Sequence, residues 1–523
     1  MRFRPDVSAG VAIVGVGLIV TPQGALPAPG GQARAVQLTS SEIPGLSLGD
    51  GTAFVIGGSG VPVPPPQYVQ ALESLYLTPN GFTGDAQPLD TPEGLYPITG
   101  IKSLELDPSV AQGAQILEQA VEHQLATGDV SPANPVVVVG LSQSSTVASQ
   151  AMPELAQYLQ SHDLPSDDLH FFLLSDPSNP DGGLLERFDG LSLPSVGVTF
   201  SGATPDDLFP TDVYTPEYDG FSDFPKYPID LLSDLNAFLG IIYQHHATLT
   251  DTAQQVANAV PVATSAADTM SDYYVLPTNT LPLLEPLQAI PVIGKPLVDL
   301  IQPDLSILIN LGYGQIGGVD PTTGLITGGW DPGPANVPTP LQLFPTNLNW
   351  GDVFTALGKG WQQGTQAAIQ EFQNPANYQL PTVQDALGSE VQTAYLQGMV
   401  SSPNPSLLEV LQGVMADGGF PISHATLTSS PTDIINDLTG TASFDYSTAL
   451  PFADGVVALL VSLPSYDASL FVDQLEAGNL LGAIGDPIAA DIGMIPGIAG
   501  LFMGEPLAIG AGGTLINLID LFS

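Results

Sequence analysis

Short apolar segments alternate with amphipathic ones in the first part of the chain, and this alternation constrains the fold more than any other feature. The segments at 52–56, 136–139 and 170–174 are built mainly from β-branched, aromatic and other apolar residues. Between them, residues 108–126 place apolar side chains at intervals of three and four, and helical spacing resumes at 146–158. Strands that are apolar on both faces and are separated by helices are typical of a parallel sheet covered on both sides. The sequence therefore predicts an α/β core.

Length and composition indicate a second structural unit. A chain of 523 residues exceeds what one hydrophobic core usually holds. An apolar run at 196–200 is predicted to be a further strand, but the alternation is lost after His246. From about Thr346 onward the pattern indicates helices only. The last 44 residues, from Leu480, carry four acidic side chains, which disfavours a membrane span, so ordinary helical core or a lipid-contacting surface is expected there.

Charge and cysteine content exclude several classes of function. Eight basic against 53 acidic residues give a net charge of −45, which would repel nucleic acid and anionic lipid headgroups. The absence of cysteine removes thiol nucleophiles, thiolate metal sites and disulfides. No ligand spacing indicates a metal ion, and no cofactor is predicted.

The N-terminus has the order of a signal peptide. Arg2 and Arg4 precede an uncharged stretch at 8–20, and small residues flank Arg34. The apolar stretch is shorter than the roughly 20 residues that a spanning helix needs. We interpret residues 1–35 as a cleaved signal peptide, with an uncleaved membrane anchor as the alternative, and expect export.

A serine follows the valine strand at the point where a helix begins. Strand, tight turn, serine and helix make up a nucleophile elbow, which needs small residues two before and two after the serine. These features predict Ser142 as a nucleophile. The N–H of Gln143 and a donor near Ser59, in the glycine-rich loop after the first strand, are predicted to form an oxyanion hole. The pentapeptide reads Gly140-Leu141-Ser142-Gln143-Ser144.

The predicted base and acid follow the serine in the order that α/β-hydrolases use. His245, His246 and His424 all come after the elbow, and His245 is preferred because it stands at the end of the α/β region. For the acid, the loop at 218–225 offers Asp223, our first choice, and Asp219 as the alternative. His246 is the alternate base, and a turn or helix-capping role is the alternative explanation for either aspartate.

Several segments together resemble the PE-PPE domain, a cutinase-like serine α/β-hydrolase domain of mycobacterial envelope and secreted proteins. The resemblance covers roughly residues 50–345. It implies a mainly parallel central sheet, a nucleophile at Ser142, a base at His245 and an acid among the two aspartates. The segments that carry it include Val55 to Pro62, Gly140 to Ser144, Asn179 to Gly183, Val198 to Pro205, Tyr218 to Pro228, Tyr243 to His245, Tyr274 to Thr278, Leu281 to Leu284 and Asp299 to Tyr313.

The site residues and the resemblance together leave three alternatives for function. The preferred one is an esterase or lipase that acts on acyl esters or glycolipids of the cell envelope. The second is an acyltransferase that moves fatty acyl groups onto trehalose glycolipids, because some exported relatives without a PE or PPE module are of that kind. The third is a catalytically idle protein that binds envelope lipids. Residues 346–523 are expected to be a helical region that serves as a lid or contacts lipid.

Overall fold

The computed structural model describes residues 48–265, 269–288, 290–374, 391–403, 405, 407–423 and 425–522. The segment interpreted as a signal peptide or anchor lies outside these residues, and so does His424.

The centre of the molecule is a sheet of seven strands in the order β2-β1-β3-β4-β7-β9-β8. The first six pair in parallel, and β8 runs antiparallel to β9 at the edge. The mainly parallel α/β sheet predicted from the sequence is therefore confirmed. In chain order, the described strands are β1 (Thr52–Val55), β2 (Asp85–Pro88), β3 (Val136–Leu141), β4 (Leu169–Leu174), β5 (Ser192–Leu193), β6 (Val198–Thr199), β7 (Thr211–Pro216), β8 (Val260–Val262), β9 (Ser271–Leu276), β10 (Gly318–Val319) and β11 (Ile326–Thr327).

The predicted strand at 196–200 does not belong to this sheet. Only Val198 and Thr199 are extended, and they form a small hairpin with β5. The place beside β4 is taken by β7, whose sequence Thr-Asp-Val-Tyr-Thr-Pro mixes polar and apolar residues. An apolar run alone could not distinguish a short hairpin that packs under a helical layer from a strand of the main sheet.

Both faces of the sheet are covered, which explains why β3 carries a run of four valines. In β3, Val136 and Val138 face one cluster of buried side chains, which includes Leu117 and Leu155 from flanking helices. Val137 and Val139 face the opposite cluster. Successive side chains of a strand point to opposite faces, so burial on both sides favours apolar residues at consecutive positions of β3.

The helices form the layers around the sheet and, beyond it, a C-terminal helical region. The prediction that described residues after 346 are helical is confirmed. The described helices include α1 (Pro66–Leu72), α2 (Leu106–Thr127), α3 (Gln143–Ser161), α4 (Leu184–Arg187), α5 (Leu231–Tyr243), α6 (Ala247–Thr250), α7 (Ala253–Ala257), α8 (Glu285–Gln288), α9 (Gly294–Asn310), α10 (Trp350–Phe372), α11 (Leu407–Asp417), α12 (Pro431–Ser447), α13 (Ala449–Val457), α14 (Leu463–Glu476), α15 (Leu480–Gly497) and α16 (Glu505–Phe522). The described elements also include short π segments at Glu73–Leu77, Ala458–Ser462 and Ile498–Gly504, and 3₁₀ turns at Thr78–Asn80, Ser166–Asp168, Pro282–Leu284 and Leu311–Tyr313.

The C-terminal helices pack on the α/β core through a shared apolar cluster. Phe188, Phe200 and Phe224 from the core meet Met494 and Phe502 from the C-terminal helices. Two continuous helical stretches of this region, 431–476 and 480–518, are long and apolar enough to cross a membrane by length and composition alone. Only 22% and 39% of their most apolar windows are buried, so much of their apolar surface faces outward.

Candidate active site

Ser142 sits at a sharp turn between β3 and α3. Its backbone has φ 61° and ψ −121°, a conformation that costs energy for any residue except glycine and that is found at functional sites. Its N–H donates to the Leu174 carbonyl at the end of β4, 2.9 Å away. The backbone therefore adopts the strained strand-to-helix turn expected of an elbow.

Small residues on both sides of Ser142 make this turn possible. A β-carbon at Gly140 would lie 2.7 Å from the Ser144 carbonyl oxygen, closer than a side chain can approach. The Ser144 hydroxyl in turn accepts a hydrogen bond from the Leu141 N–H, 2.8 Å away. The spacing argument made from the sequence thus has a direct steric reason.

His245 links the serine to a carboxylate. The residue follows α5, and its N–H donates to the Gly240 carbonyl. Its Nε2 lies 2.7 Å from Ser142 Oγ, and its Nδ1 lies 2.8 Å from Asp219 Oδ2. The ring of Phe221 packs edge-on against the imidazole with the centroids 4.9 Å apart, so the ring is held on a third side.

The carboxylate that contacts His245 belongs to Asp219, the alternative acid, and not to Asp223, our first choice, so the structure favours Asp219. The Asp219 carboxylate also accepts from the Ser222 hydroxyl at 2.6 Å and from the Phe221 N–H at 3.0 Å. The N–H of Asp223 donates to the Asp219 carbonyl, which turns the chain back. The Asp223 carboxylate consequently accepts from the Tyr218 N–H, 2.8 Å away. Burial raises the pKa of Asp223 well above its usual value, which favours the neutral acid.

His246, the alternate base, lies beside His245 without taking its place. The imidazole that contacts both the Ser142 hydroxyl and the Asp219 carboxylate is that of His245, and the two imidazole rings meet edge to face with centroids 5.2 Å apart. Burial, together with the neighbouring His245, lowers the pKa of His246 to about 3, so this ring stays neutral at pH 7.

The two residues predicted to supply oxyanion donors also come together. A β-carbon at Gly58 would lie 3.5 Å from the Ser142 β-carbon, so the loop after β1 runs alongside the serine. The Ser59 hydroxyl donates to Gln143 Oε1 at 2.8 Å. The loop and the first turn of α3 are thereby joined next to the Ser142 side chain.

Sequence reasoning missed Ser109. This fully buried residue belongs to the first turns of α2, and its hydroxyl accepts from the Gln143 side-chain amide at 2.7 Å. The signal was present, because Ser109 is a polar residue on the face of α2 that otherwise buries Val110, Ala114 and Leu117. A polar side chain on an apolar helix face must find a partner inside the protein.

The three hydrogen-bonded residues are almost closed off from solvent. Ser142 is 8% exposed, His245 4% and Asp219 0%. In such an environment, hydrogen bonds and charges act more strongly than they do in water. Among the described residues, no group of three or more histidines and carboxylates has the arrangement of a metal site.

The C-terminal helical region touches the loop that carries Ser59. A β-carbon at Gly60 would lie 3.3 Å from the Asp417 carboxylate, so the end of α11 touches the loop that carries Ser59. Two further hydrogen bonds join this region to the α/β core. The Tyr96 hydroxyl donates to the Asp454 carboxylate at 2.7 Å, and the Ser195 hydroxyl donates to the Asp454 carbonyl.

Comparison with known proteins identifies the family. A family model described as the PE-PPE domain matches residues 83–314, which include Ser142, Asp219 and His245. The protein called Uncharacterized PPE family protein PPE28, from Mycobacterium tuberculosis, is 38% identical over 507 residues, which are 94% of this chain and 70% of that protein. The chain belongs to the PE-PPE domain family.

Two further relatives from Mycobacterium tuberculosis are among those whose names state a chemistry. Esterase PE16 is 44% identical over 305 residues, which are 58% of this chain and 53% of that protein. SL1278 acyltransferase Chp1 is 30% identical over 255 residues, which are 46% of this chain and 59% of that protein. The chain thus spans little more than half the length of each of these two relatives. No solved structure matches it.

Two buried glutamates, Glu93 and Glu217, are expected to make the stability of the protein depend on pH. Burial raises the pKa of Glu93 to about 8 and that of Glu217 to about 8. An unfolded glutamate loses its proton near pH 4.3, so between about pH 6.5 and pH 8 the unfolded state binds fewer protons than the folded state. Stability therefore falls as the pH rises through this window. We expect the midpoint of thermal unfolding to drop by roughly 5 °C, measured by calorimetry.

The Glu93→Gln variant is the control for this prediction. An amide has nearly the shape of the neutral acid but does not titrate, so the variant should lose less stability than the wild type between the same two pH values. An unfolding midpoint that is constant, or that rises with pH in the wild type, would contradict the assignment of neutral buried carboxyls.

Proposed function

We propose that this protein is a serine esterase or lipase that cleaves acyl esters of cell-envelope lipids through Ser142, His245 and Asp219. The observation that carries the proposal is the continuous hydrogen-bonded chain from the Ser142 hydroxyl through both nitrogens of His245 to the Asp219 carboxylate. The name of the relative Esterase PE16 supports the same general chemistry.

In the proposed first half-reaction, His245 Nε2 takes the proton of the Ser142 hydroxyl as Oγ attacks the ester carbonyl carbon. Asp219 keeps the imidazole oriented and stabilises its positive charge. The negative charge that develops on the carbonyl oxygen is met by N–H donors at Ser59 and Gln143 and by the N-terminus of α3. His245 then gives its proton to the leaving alcohol oxygen as the ester C–O bond breaks, and an acyl-enzyme remains.

The second half-reaction decides the class of the enzyme. Water activated by His245 releases a fatty acid, whereas a sugar hydroxyl in the same position gives an acyl sugar. Transfer to a trehalose glycolipid is the second candidate function. The near-complete burial of Ser142, which would restrict water, and the name of SL1278 acyltransferase Chp1 favour it. The C-terminal helices that touch the loop at Gly60 are proposed as the lid that sets this access.

A catalytically idle lipid-binding protein is the weakest candidate. The strained backbone at Ser142 and the paired His245 have no evident use in a passive scaffold, since strain persists where it serves a mechanism. Export to the envelope, with the N-terminal segment as signal or anchor, is part of the proposal.

The fate of the acyl group can be measured directly. Purified protein is incubated with acyl esters of graded chain length, with and without trehalose as acceptor, and fatty acid and acyl trehalose are quantified by mass spectrometry. We expect fatty acid release without acceptor, and expect a fluorophosphonate probe to label the protein and block this release. Acyl trehalose forming faster than fatty acid would favour the transferase. Neither product with any ester, together with no labelling, would contradict an ester-acting enzyme.

A further inference from the structure

Four hydrogen bonds close a ring around the loop that carries Ser59. On one side, the Ser59 hydroxyl donates to Gln143 Oε1 at 2.8 Å, and Gln143 Nε2 donates to Ser109 Oγ at 2.7 Å. On the other side, the Gly94 N–H donates to Ser109 Oγ at 2.8 Å, and the Gly60 N–H donates to the Glu93 carbonyl at 2.8 Å. Two peptide links complete the ring, because residues 59 and 60, and residues 93 and 94, are adjacent.

Ser109 is the point where the two sides of this ring meet. Its hydroxyl accepts from both a side-chain amide of the elbow helix and a backbone N–H of the 91–94 turn. Ser109 and Gln143 are 0% and 3% exposed, so water does not compete for these contacts. The backbone of Glu93 has φ 47°, an unfavourable conformation for a residue with a side chain, which is maintained only where the surroundings fix it.

A hydroxyl at position 109 can either accept or donate, so the two hydrogen bonds of the Gln143 side chain can exchange donor and acceptor. If the Gln143 amide turns by half a rotation, Ser109 donates to Gln143 Oε1 while it still accepts from Gly94. Gln143 Nε2 then donates to Ser59 Oγ. The positions of the heavy atoms suit both directions, since the oxygen and nitrogen of an amide differ little in size. In the reversed arrangement the Ser59 hydroxyl no longer donates to Gln143, so it can donate to another acceptor.

We propose that Ser109 is a positioning residue that holds the Ser59 loop against the elbow and, through Gln143, releases the Ser59 hydroxyl to bind the developing oxyanion. Ser109 itself does not touch the substrate. It fixes how far the Ser59 donor lies from the Gln143 N–H, and such fixed donors stabilise the transition state without reorganising during the reaction. The inference rests on the proposed function, because an oxyanion forms only if Ser142 attacks an ester.

The test compares Ser109→Ala with the wild type on a soluble chromogenic acyl ester. We expect kcat to fall about tenfold and KM to change less than about twofold, because the ring acts on the transition state and not on substrate binding. The inhibition constant of a trifluoromethyl ketone, whose adduct with serine carries an oxyanion, should rise by a similar factor. Alanine favours helix, so the variant is expected to fold. Ser109→Cys, with similar volume but a weak acceptor, is a second variant with the same expected loss.

Two controls separate positioning from a general loss of stability. Ser306→Ala removes a hydroxyl that is equally buried in α9 and that, within the described part of the chain, donates to the Pro303 carbonyl of its own helix, so its kcat should stay near the wild-type value. A double-mutant cycle with Ser59→Ala tests the connection. If Ser109 acts through the Ser59 hydroxyl, the double variant should have the same kcat as Ser59→Ala alone.

Two results would overturn the positioning role of Ser109. One is a double variant whose loss of kcat is the product of the losses in Ser109→Ala and Ser59→Ala, and the other is a Ser109→Ala variant with the same kcat as Ser306→Ala. Either result would leave the proposed function intact as long as Ser142→Ala is inactive. Activity that persists in Ser142→Ala would instead overturn the proposed function itself, so the two failures are distinguishable.

Discussion

Replacing Ser142 with alanine is expected to lower kcat for acyl esters by at least about 10³-fold and to abolish labelling by a fluorophosphonate. The Ser142 hydroxyl is the group that His245 Nε2 contacts at 2.7 Å, and without it no acyl-enzyme can form. The loss should appear in kcat and not in KM, since the missing bond forms only during the reaction. Initial rates with a chromogenic ester, and gel detection of the probe, measure both effects.

Ser149→Ala is the matched control for this variant. Ser149 lies in α3, the helix that follows Ser142, and is 8% exposed, as Ser142 is. Removing its hydroxyl should leave kcat within about twofold of the wild type. A Ser142→Ala protein that is still labelled, or that keeps more than a tenth of the activity, would exclude Ser142 as the nucleophile.

Asp219→Asn is expected to lower kcat by about 10⁴-fold, and Asp223→Asn by less than about threefold. The amide that the first substitution introduces can present an N–H to His245 Nδ1, which would stabilise the tautomer that cannot take the Ser142 proton. Asp223 is different, because burial raises its pKa and the neutral acid already resembles an amide. The two variants introduce the same chemical change at residues that lie in one loop and are comparably buried, so each variant is the control for the other.

The opposite result for the two aspartate variants would contradict the assignment of Asp219. If Asp223→Asn were the inactive variant and Asp219→Asn retained activity, the acid chosen from the sequence would be correct and the hydrogen bond from His245 to Asp219 would have no catalytic role. Circular dichroism and thermal unfolding of both proteins establish that the measured rates refer to folded enzyme.

The strands of the core could be predicted where burial on both faces leaves a continuous apolar run, as in β1, β3 and β4. The strand β7 was not recognised, since its alternating polar residues resemble a loop and only its pairing with β4 and β9 makes it a sheet strand. The opposite error was made at 196–200, where apolar residues pack under the C-terminal helices instead of entering the sheet.

The two candidate acids show the limit of sequence reasoning at the site. Asp219 and Asp223 lie four residues apart in one loop, and both are next to residues typical of turns. Which carboxylate faces His245 depends on the turn in which the Asp223 N–H donates to the Asp219 carbonyl, and spacing alone does not reveal that turn. The contact between Ser109 and Gln143 joins residues 34 positions apart and was equally hidden.

The sequence by itself determined the α/β core, the sharp turn at Ser142 and the order in which the candidate nucleophile, acid and base follow along the chain, because these depend on local patterns: apolar runs, small residues around a tight turn and order in the sequence. Only the tertiary structure decided that Asp219 pairs with His245, that Ser109 closes a ring around the Ser59 loop and that C-terminal helices touch that loop at Gly60. The physical reason is that hydrogen bonds inside a protein join side chains that folding brings together, and neither their distance nor their direction is encoded in the local pattern of residues.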